Sequence, residues 1–249
     1  MLLEPKERCV YGPVRSRRLG SSLGINPLPP GRKTCTFDCQ YCQYGWADPA
    51  PIVRRGFPAV GAVLAQVEER LGALAEPPAF LTFSGNGEPT LHPRFPELVA
   101  GVLALRDRLA PTARLAILSN SSTLADAAVR AALARLDVRI MKLDAGRPTT
   151  FARFNQPRAG ITLLEIVAQL YRLGGVTIQA LFAGGPMGNA AEEEIEAWVA
   201  VVKHMAPVEV QVYSLDRDAP SREIRRLDPT ELQRIAARLA SSGIDARVY

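Results

Sequence analysis

The chain has 249 residues, a formal net charge of +5 and 47% hydrophobic residues. This length and hydrophobic content suit one α/β domain or two small ones. No run of about 18 apolar residues occurs, which argues against a membrane-spanning helix. The first residues, MLLEPK, lack the apolar core of a secretion signal, so we expect a cytoplasmic protein with reduced cysteines.

The positive charge comes mainly from arginine, because only four residues are lysines. Arginine forms bidentate contacts with phosphate and carboxylate groups. A net charge of +5 therefore permits nucleic-acid binding without requiring it.

Residues 1–24 form a basic, glycine-containing segment in which no helical or alternating period of apolar residues is visible. Two interpretations fit this segment. It is either a solvated entry loop or an anion clamp in which Arg17 and Arg18 reach a phosphate or carboxylate. A short strand at 22–26 follows, and three prolines end it.

Beyond the cysteine-rich stretch, strand-like and helix-like segments alternate about six times without a linker. This alternation predicts one domain, 1–249, with a parallel sheet built from right-handed βαβ units. The last residues, 246–249, either add a strand or fray. The predicted strands are 80–83, 115–118, 138–143, 176–182 and 208–213, and the predicted helices are 60–74, 95–109, 124–135, 162–173, 192–205 and one that begins at Asp228.

Cys35, Cys39 and Cys42 have the spacing Cys-x3-Cys-x2-Cys and can converge on one metal centre. A zinc site would need a fourth ligand, and Cys9 lies 26 residues upstream of Cys35. A disulfide between two of these three cysteines would leave the third one unpaired. An iron–sulfur cube that is bound by three cysteines keeps one iron open for a ligand, and we favour this interpretation.

The cysteine motif, with Tyr41 before its last cysteine, resembles the signature of the radical S-adenosylmethionine (SAM) superfamily. This resemblance implies a [4Fe–4S] cluster on Cys35, Cys39 and Cys42, with SAM on the fourth iron. It implies reductive cleavage of SAM to a 5′-deoxyadenosyl radical, with an electron from a flavodoxin or ferredoxin. It also implies an open, partial (β/α)6 TIM-like barrel. A flat doubly wound sheet is the alternative fold.

Polar residues and glycines gather where the predicted strands end, which is the edge at which parallel α/β folds bind ligands. The loop 85–89 resembles the Gly-Gly-Glu motif of the superfamily, with Asn86 in place of the middle glycine. A plain turn is the structural alternative for this loop. Lys142 and Asp144 are two apart and share one face of the strand 138–143, so an internal salt bridge is the structural alternative for these two residues. By resemblance and position, the residues predicted to bind SAM are Tyr41, Gly85, Asn86, Gly87, Glu88, Ser119, Asn120, Asp144 and Gln179.

Five segments together resemble a narrower group, the Fe–S oxidoreductases related to wyosine-base formation on tRNA. These segments are 11–20, the cysteine loop 34–42, 84–93, 142–145 and 213–217. Wyosine-forming enzymes bind a second cluster through three further cysteines, whereas this chain offers only Cys9. The resemblance therefore specifies the superfamily more strongly than the substrate. We expect the substrate to be a tRNA or nucleotide base, with a small metabolite as the second candidate. The rival function from another class is a non-catalytic metal-binding module that uses the same cysteines. The residues predicted to contact substrate are Arg17, Arg18, Lys142 and Arg217.

Overall fold

A computed structural model describes residues 2–52 and 56–249. Its main feature is an eight-stranded sheet. A small two-stranded sheet pairs β7 (Ala183–Gly184) with β9 (Arg225–Arg226). In spatial order, the strands of the large sheet are β1 (Val10–Ser16), β2 (Gly20–Ile25), β3 (Phe80–Phe83), β4 (Arg114–Ser119), β5 (Val138–Lys142), β6 (Thr177–Leu181), β8 (Glu209–Tyr213) and β10 (Ala246–Val248).

Within the large sheet, every strand after β1 pairs in parallel with its neighbours from β2 onward, and the spatial order of the strands follows their order in the chain. A doubly wound sheet would reverse its strand order at one point, and this sheet does not. The predicted α/β alternation with a parallel sheet is thereby confirmed. Among the described residues, no helix is both long and apolar enough to cross a membrane. The main helices are α1 (Val60–Gly72), α2 (Phe95–Leu109), α3 (Ala127–Leu133), α5 (Leu163–Leu173), α6 (Glu192–Met205) and α7 (Pro229–Ala240).

The N-terminal segment differs from the irregular loop that the sequence predicts. Residues 10–16 form β1, which pairs antiparallel with β2 as a hairpin. Apolar alternation is not visible in this strand because it lies at the sheet edge with none of its residues buried. Its register also shifts between Tyr11 and Val14. At the other edge, residues 246–248 add strand β10 rather than fray.

Packing of α6 against the connection after β5 fixes the carboxyl edge of the sheet. Trp198 is fully buried, and its indole nitrogen donates to the Leu143 carbonyl at 2.8 Å. Its ring meets Phe182 edge-on, with centroids 4.9 Å apart. A Cβ atom at Gly146 would lie 2.2 Å from the Trp198 backbone nitrogen, so glycine permits this close approach.

The connection after β5 contains a backbone irregularity. A single helical turn, α4 (Pro148–Thr150), continues directly into a π-helical turn at Phe151–Asn155. The turn ends at Gln156, whose φ of 44° is left-handed. Single π-helical turns occur frequently at functional sites, and this one lies against the cysteine-rich stretch.

Helix α7 provides a stability test because it begins at a capping box. The Asp228 carboxylate accepts from the Glu231 backbone N–H at 2.9 Å, and the Glu231 carboxylate accepts from the Asp228 N–H at 2.8 Å. We expect Asp228→Ala to lower the free energy of unfolding by about 1 kcal/mol in chemical denaturation. Asp228→Asn keeps an acceptor oxygen and should lose less than half of that. An equal loss in both variants would contradict the capping role.

Candidate functional site

The cysteine loop, residues 34–42, is fixed on the carboxyl end of β3. The Thr34 N–H donates to the Asn86 carbonyl at 2.7 Å, and the Glu88 N–H donates to the Thr34 carbonyl at 3.0 Å. Gly87 has a φ of +143°, and a Cβ there would lie 1.9 Å from the Thr34 oxygen. Only glycine permits both this conformation and this approach.

The π-helical turn holds the cysteine loop from the other side. The Asp38 N–H donates to the Asn155 carbonyl at 3.1 Å, and the Gln40 N–H donates to the Phe154 carbonyl at 3.0 Å. The buried Lys33 ammonium donates to the Asp38 carboxylate at 2.8 Å. The loop is therefore held between two segments that are far apart in the sequence.

A cavity of about 280 Å³ lies at the carboxyl ends of the strands, next to the cysteine loop. Within the part of the chain that the structure describes, Asn86 and Asp144 are outside its lining, and both are buried. The other predicted site residues line it: Arg17, Arg18, Cys35, Cys39, Tyr41, Cys42, Gly85, Gly87, Glu88, Ser119, Asn120, Lys142, Gln179 and Arg217.

The three thiols of the motif are free of disulfides and line this one cavity. Burial raises the pKa of Cys35 to about 12 and that of Cys39 to about 11, so both thiols are protonated without metal. In residues 2–52 and 56–249, no three His, Cys, Asp or Glu side chains form a group that could hold one metal ion. A [4Fe–4S] cluster makes no such demand, because each thiolate binds a different iron. Because Cys35, Cys39 and Cys42 all line one cavity, they are the residues that would hold such a cluster.

Glu88 connects the loop after β3 to the loop after β4. Its carboxylate is buried and accepts from the Thr90 N–H at 3.1 Å and the Thr90 hydroxyl at 2.6 Å. It also accepts from the Ser119 hydroxyl at 2.9 Å and the Asn120 N–H at 2.5 Å. Loss of solvation raises the pKa of Glu88 above its ordinary value. The carboxylate thus positions Ser119 and Asn120 at the cavity wall.

Asp144 lies behind the cavity floor and organises Tyr41 and Lys142. The Tyr41 hydroxyl donates to Asp144 Oδ2 at 2.5 Å, and the Leu181 N–H donates to Asp144 Oδ1 at 2.9 Å. The Lys142 ammonium lies 3.2 Å from Asp144 Oδ2 and also contacts the Tyr41 hydroxyl. Burial alone would lower the pKa of Lys142, but Asp144 raises it overall. The predicted Lys142–Asp144 salt bridge is present, and Lys142 also faces the cavity as a cation.

The hairpin tip between β1 and β2 reaches the loop after β8 across the cavity mouth. Arg17 lies 3.2 Å from the Asp216 carboxylate, with both side chains about half exposed. The Arg18 guanidinium lies over the Tyr213 ring, 4.8 Å from its centroid. Both arginines therefore have internal partners that a substrate anion would have to displace or share.

Sequence reasoning missed several residues of this region, and four of them lie in or against the cysteine motif. Lys33, Phe37 and Tyr44 line the cavity, and burial raises the pKa of Tyr44 to about 12. These three lie within or beside the cysteine motif, so proximity in sequence was an available signal. Asn155 contacts Cys39 from the π-helical turn, and no sequence pattern indicates that turn.

Asn86, the departure from the glycine motif, fastens the N-terminal segment to the loop after β3. Its side-chain nitrogen donates to the Lys6 carbonyl at 2.8 Å and the Pro29 carbonyl at 3.2 Å. Its Oδ1 accepts from the Lys6 N–H at 2.6 Å. A middle glycine would supply none of these bonds.

Replacement of Asn86 should therefore release the N-terminal segment. We expect Asn86→Ala to lower the free energy of unfolding by about 3 kcal/mol, because the half-buried Lys6 backbone and the buried Pro29 carbonyl lose their partners. Hydrogen exchange of the Lys6 amide should accelerate. Asn189→Ala is the matched control, since the buried Asn189 side chain also makes three bonds, none of them to Lys6. Slow Lys6 exchange in Asn86→Ala would contradict the fastening role.

A model of the Radical SAM superfamily matches residues 32–177. A UPF0026 protein from Synechocystis is 32% identical over 216 residues, which cover 85% of this chain and 77% of the relative. A protein named GTPase Obg from Brachyspira hyodysenteriae is 28% identical over 237 residues, 92% of this chain. The matched region covers only 33% of that relative's length.

Solved structures share the fold. A radical SAM methyltransferase from Sphaerobacter thermophilus has a TM-score of 0.69 at 16% identity, covering 92% of this chain and 65% of its own. TYW1 with a bound lysine–pyruvate adduct has a TM-score of 0.60 at 15% identity, covering 88% of this chain and 73% of its own. The predicted partial TIM-like barrel is thereby confirmed. Since the family model covers more than half of the chain, the chain belongs to the radical SAM superfamily.

Proposed function

We propose that the protein is a radical SAM enzyme that holds one [4Fe–4S] cluster on Cys35, Cys39 and Cys42. One observation carries this proposal: the three free thiols and the polar groups of the strand ends line the same cavity. A non-catalytic metal-binding module would need the thiols but not a cavity beside them. The cavity therefore favours catalysis over metal storage.

SAM would occupy the cavity next to the cysteines. Gly85 and Gly87 line it and let a ligand approach the backbone. Of the other residues predicted to bind SAM, Asn86 and Asp144 would act through their neighbours, because their side chains lie outside the lining. The side chains proposed for direct contact are Tyr41, Glu88, Ser119, Asn120 and Gln179.

When bound, the cluster and SAM would supply a 5′-deoxyadenosyl radical that removes a hydrogen atom from the substrate. The chain would position the reactants and shield them. Part of the cavity wall is apolar because Phe37, Leu118 and Leu181 line it, and these side chains limit water near the reacting atoms. A flavodoxin or ferredoxin in a reducing cytoplasm would supply the electron.

The charge of the cavity favours an anionic substrate. Lys142 lies in its wall as a cation, and Arg18 and Arg217 line it as well. Together with the resemblance to wyosine-related proteins, this supports a tRNA or nucleotide base. A small anionic metabolite is the second candidate, because Arg18, Lys142 and Arg217 could bind its negative charge without contacts to a larger partner.

Iron binding and reductive SAM cleavage test the proposed cluster. After anaerobic reconstitution we expect about four irons per chain, because one cluster contains four. Cys35→Ala, Cys39→Ala and Cys42→Ala should each lose most of that iron. With dithionite and SAM, the loaded protein should form 5′-deoxyadenosine, measured by chromatography.

Cys9→Ala is the control for these variants. Cys9 is buried outside the cavity lining, so its replacement should leave the iron content unchanged. Tightly bound zinc that excludes iron during reconstitution would contradict the proposal. Four irons without SAM cleavage would favour the metal-binding module.

The substrate class can be tested by salt dependence. If Arg15, Arg17, Arg18 and Arg217 neutralise RNA phosphates, the log–log slope of tRNA affinity against salt should be about −3, at roughly −0.7 per single-strand contact. Arg17→Ala with Arg18→Ala should flatten the slope by more than about one unit. Filter binding or anisotropy at several salt concentrations measures it.

A double variant of Arg135 and Arg172 to Ala is the matched control. Both arginines are exposed and lie where α3 and α5 lead to the amino ends of β5 and β6, opposite the cavity mouth. The slope should stay unchanged in this control. If the wild-type slope is shallow and tRNA does not stimulate SAM cleavage, the metabolite is favoured.

A further inference from the structure

Asn155 places a side-chain amide between Cys39 and the floor of the cavity. It is buried, at the end of the π-helical turn. Its Nδ2 donates to Asp144 Oδ2 at 2.6 Å and lies 3.6 Å from the Cys39 sulfur. Asn155 is not among the residues predicted to bind the cluster, SAM or the substrate.

The orientation of this amide follows from its neighbours. An ionised carboxylate only accepts hydrogen bonds, so the donating Nδ2, and not Oδ1, must face Asp144. Asp144 itself is held by the Tyr41 hydroxyl and the Leu181 N–H. The second N–H of the amide is then available to the Cys39 sulfur. Asn155 Oδ1 has no hydrogen-bond partner among the described residues, so contacts of the nitrogen, and not of the oxygen, determine this orientation.

The backbone prevents the amide from moving away. The Asn155 carbonyl accepts from the Asp38 N–H at 3.1 Å, next to Cys39 in the chain. The amide and the sulfur are therefore carried by two segments that are hydrogen-bonded to each other.

We propose that Asn155 is a positioning residue that donates an N–H to the Cys39 sulfur and raises the reduction potential of the cluster. This rests on the proposed function. Reduction adds negative charge to a cluster and its thiolates, and an N–H donor stabilises that charge. Asn120 offers a similar contact at Cys35, where its Nδ2 lies 3.5 Å from the sulfur. Two of the three cluster ligands would thus receive side-chain amides.

The test compares cluster potentials in holoprotein. Asn155→Leu keeps most of the side-chain volume and removes both donors, and Asn155→Ala is a second variant without added bulk. Asn189→Ala is the control, because Asn189 is an equally buried amide that bonds the Asp144 carbonyl but no cysteine. Iron content is measured first, and the midpoint potential then comes from a redox titration followed by electron paramagnetic resonance.

We expect all variants to bind iron as the wild type does. Both Asn155 variants should shift the midpoint potential to more negative values, while Asn189→Ala stays at the wild-type value. Pulsed resonance after exchange into deuterated water should show a deuteron coupled to the reduced cluster that is missing in Asn155→Leu.

Three outcomes would overturn the inference while the wild type still binds a cluster and cleaves SAM. The Asn155 variants could keep the wild-type potential, they could lose the iron that Asn189→Ala retains, or Asn189→Ala could shift the potential as far as they do. A wild type that binds no cluster would instead overturn the proposed function itself.

Discussion

The approach of Thr34 to Gly87 is the contact on which the rest of the site depends. The cysteine loop has no helix or strand of its own, so its backbone groups need partners from neighbouring segments. The loop after β3 provides them on one side, and the π-helical turn provides them on the other. A side chain at Gly87 would separate the first pair and displace the three thiols from the strand ends.

Two buried carboxylates, Glu88 and Asp144, position different groups around the cavity. Glu88 accepts four hydrogen bonds and positions the loop after β4, and Asp144 holds Tyr41, Lys142 and Asn155. A buried charge is costly unless it is fully paired, so each carboxylate constrains every group around it. These contacts fix the side chains of the cavity wall relative to one another, which suits a site that must hold reactants in one geometry.

Positive charge is distributed at two depths. Lys142 is kept cationic by Asp144 in the cavity wall, whereas Arg17 and Arg18 lie at the mouth with partners of their own. Exposed ion pairs contribute little to stability, so the Arg17–Asp216 pair can open at little cost when an anion arrives. The hairpin of β1 and β2 thus supplies both a sheet edge and the rim of the mouth.

Local spacing in the sequence was enough to predict much of the protein. The alternation of strands and helices, the cysteine loop and the glycines after β3 all depend on residues that are close together in the chain. Only the tertiary structure decided that residues 10–16 form a strand, that Asn86 and Asp144 lie behind the cavity lining, and that Asn155 meets Cys39. Lys6 and Asn86 are 80 positions apart, and Cys39 and Asn155 are 116 positions apart. Apolar periodicity predicts which face of an element is buried, but it carries no information about which distant polar atoms meet there.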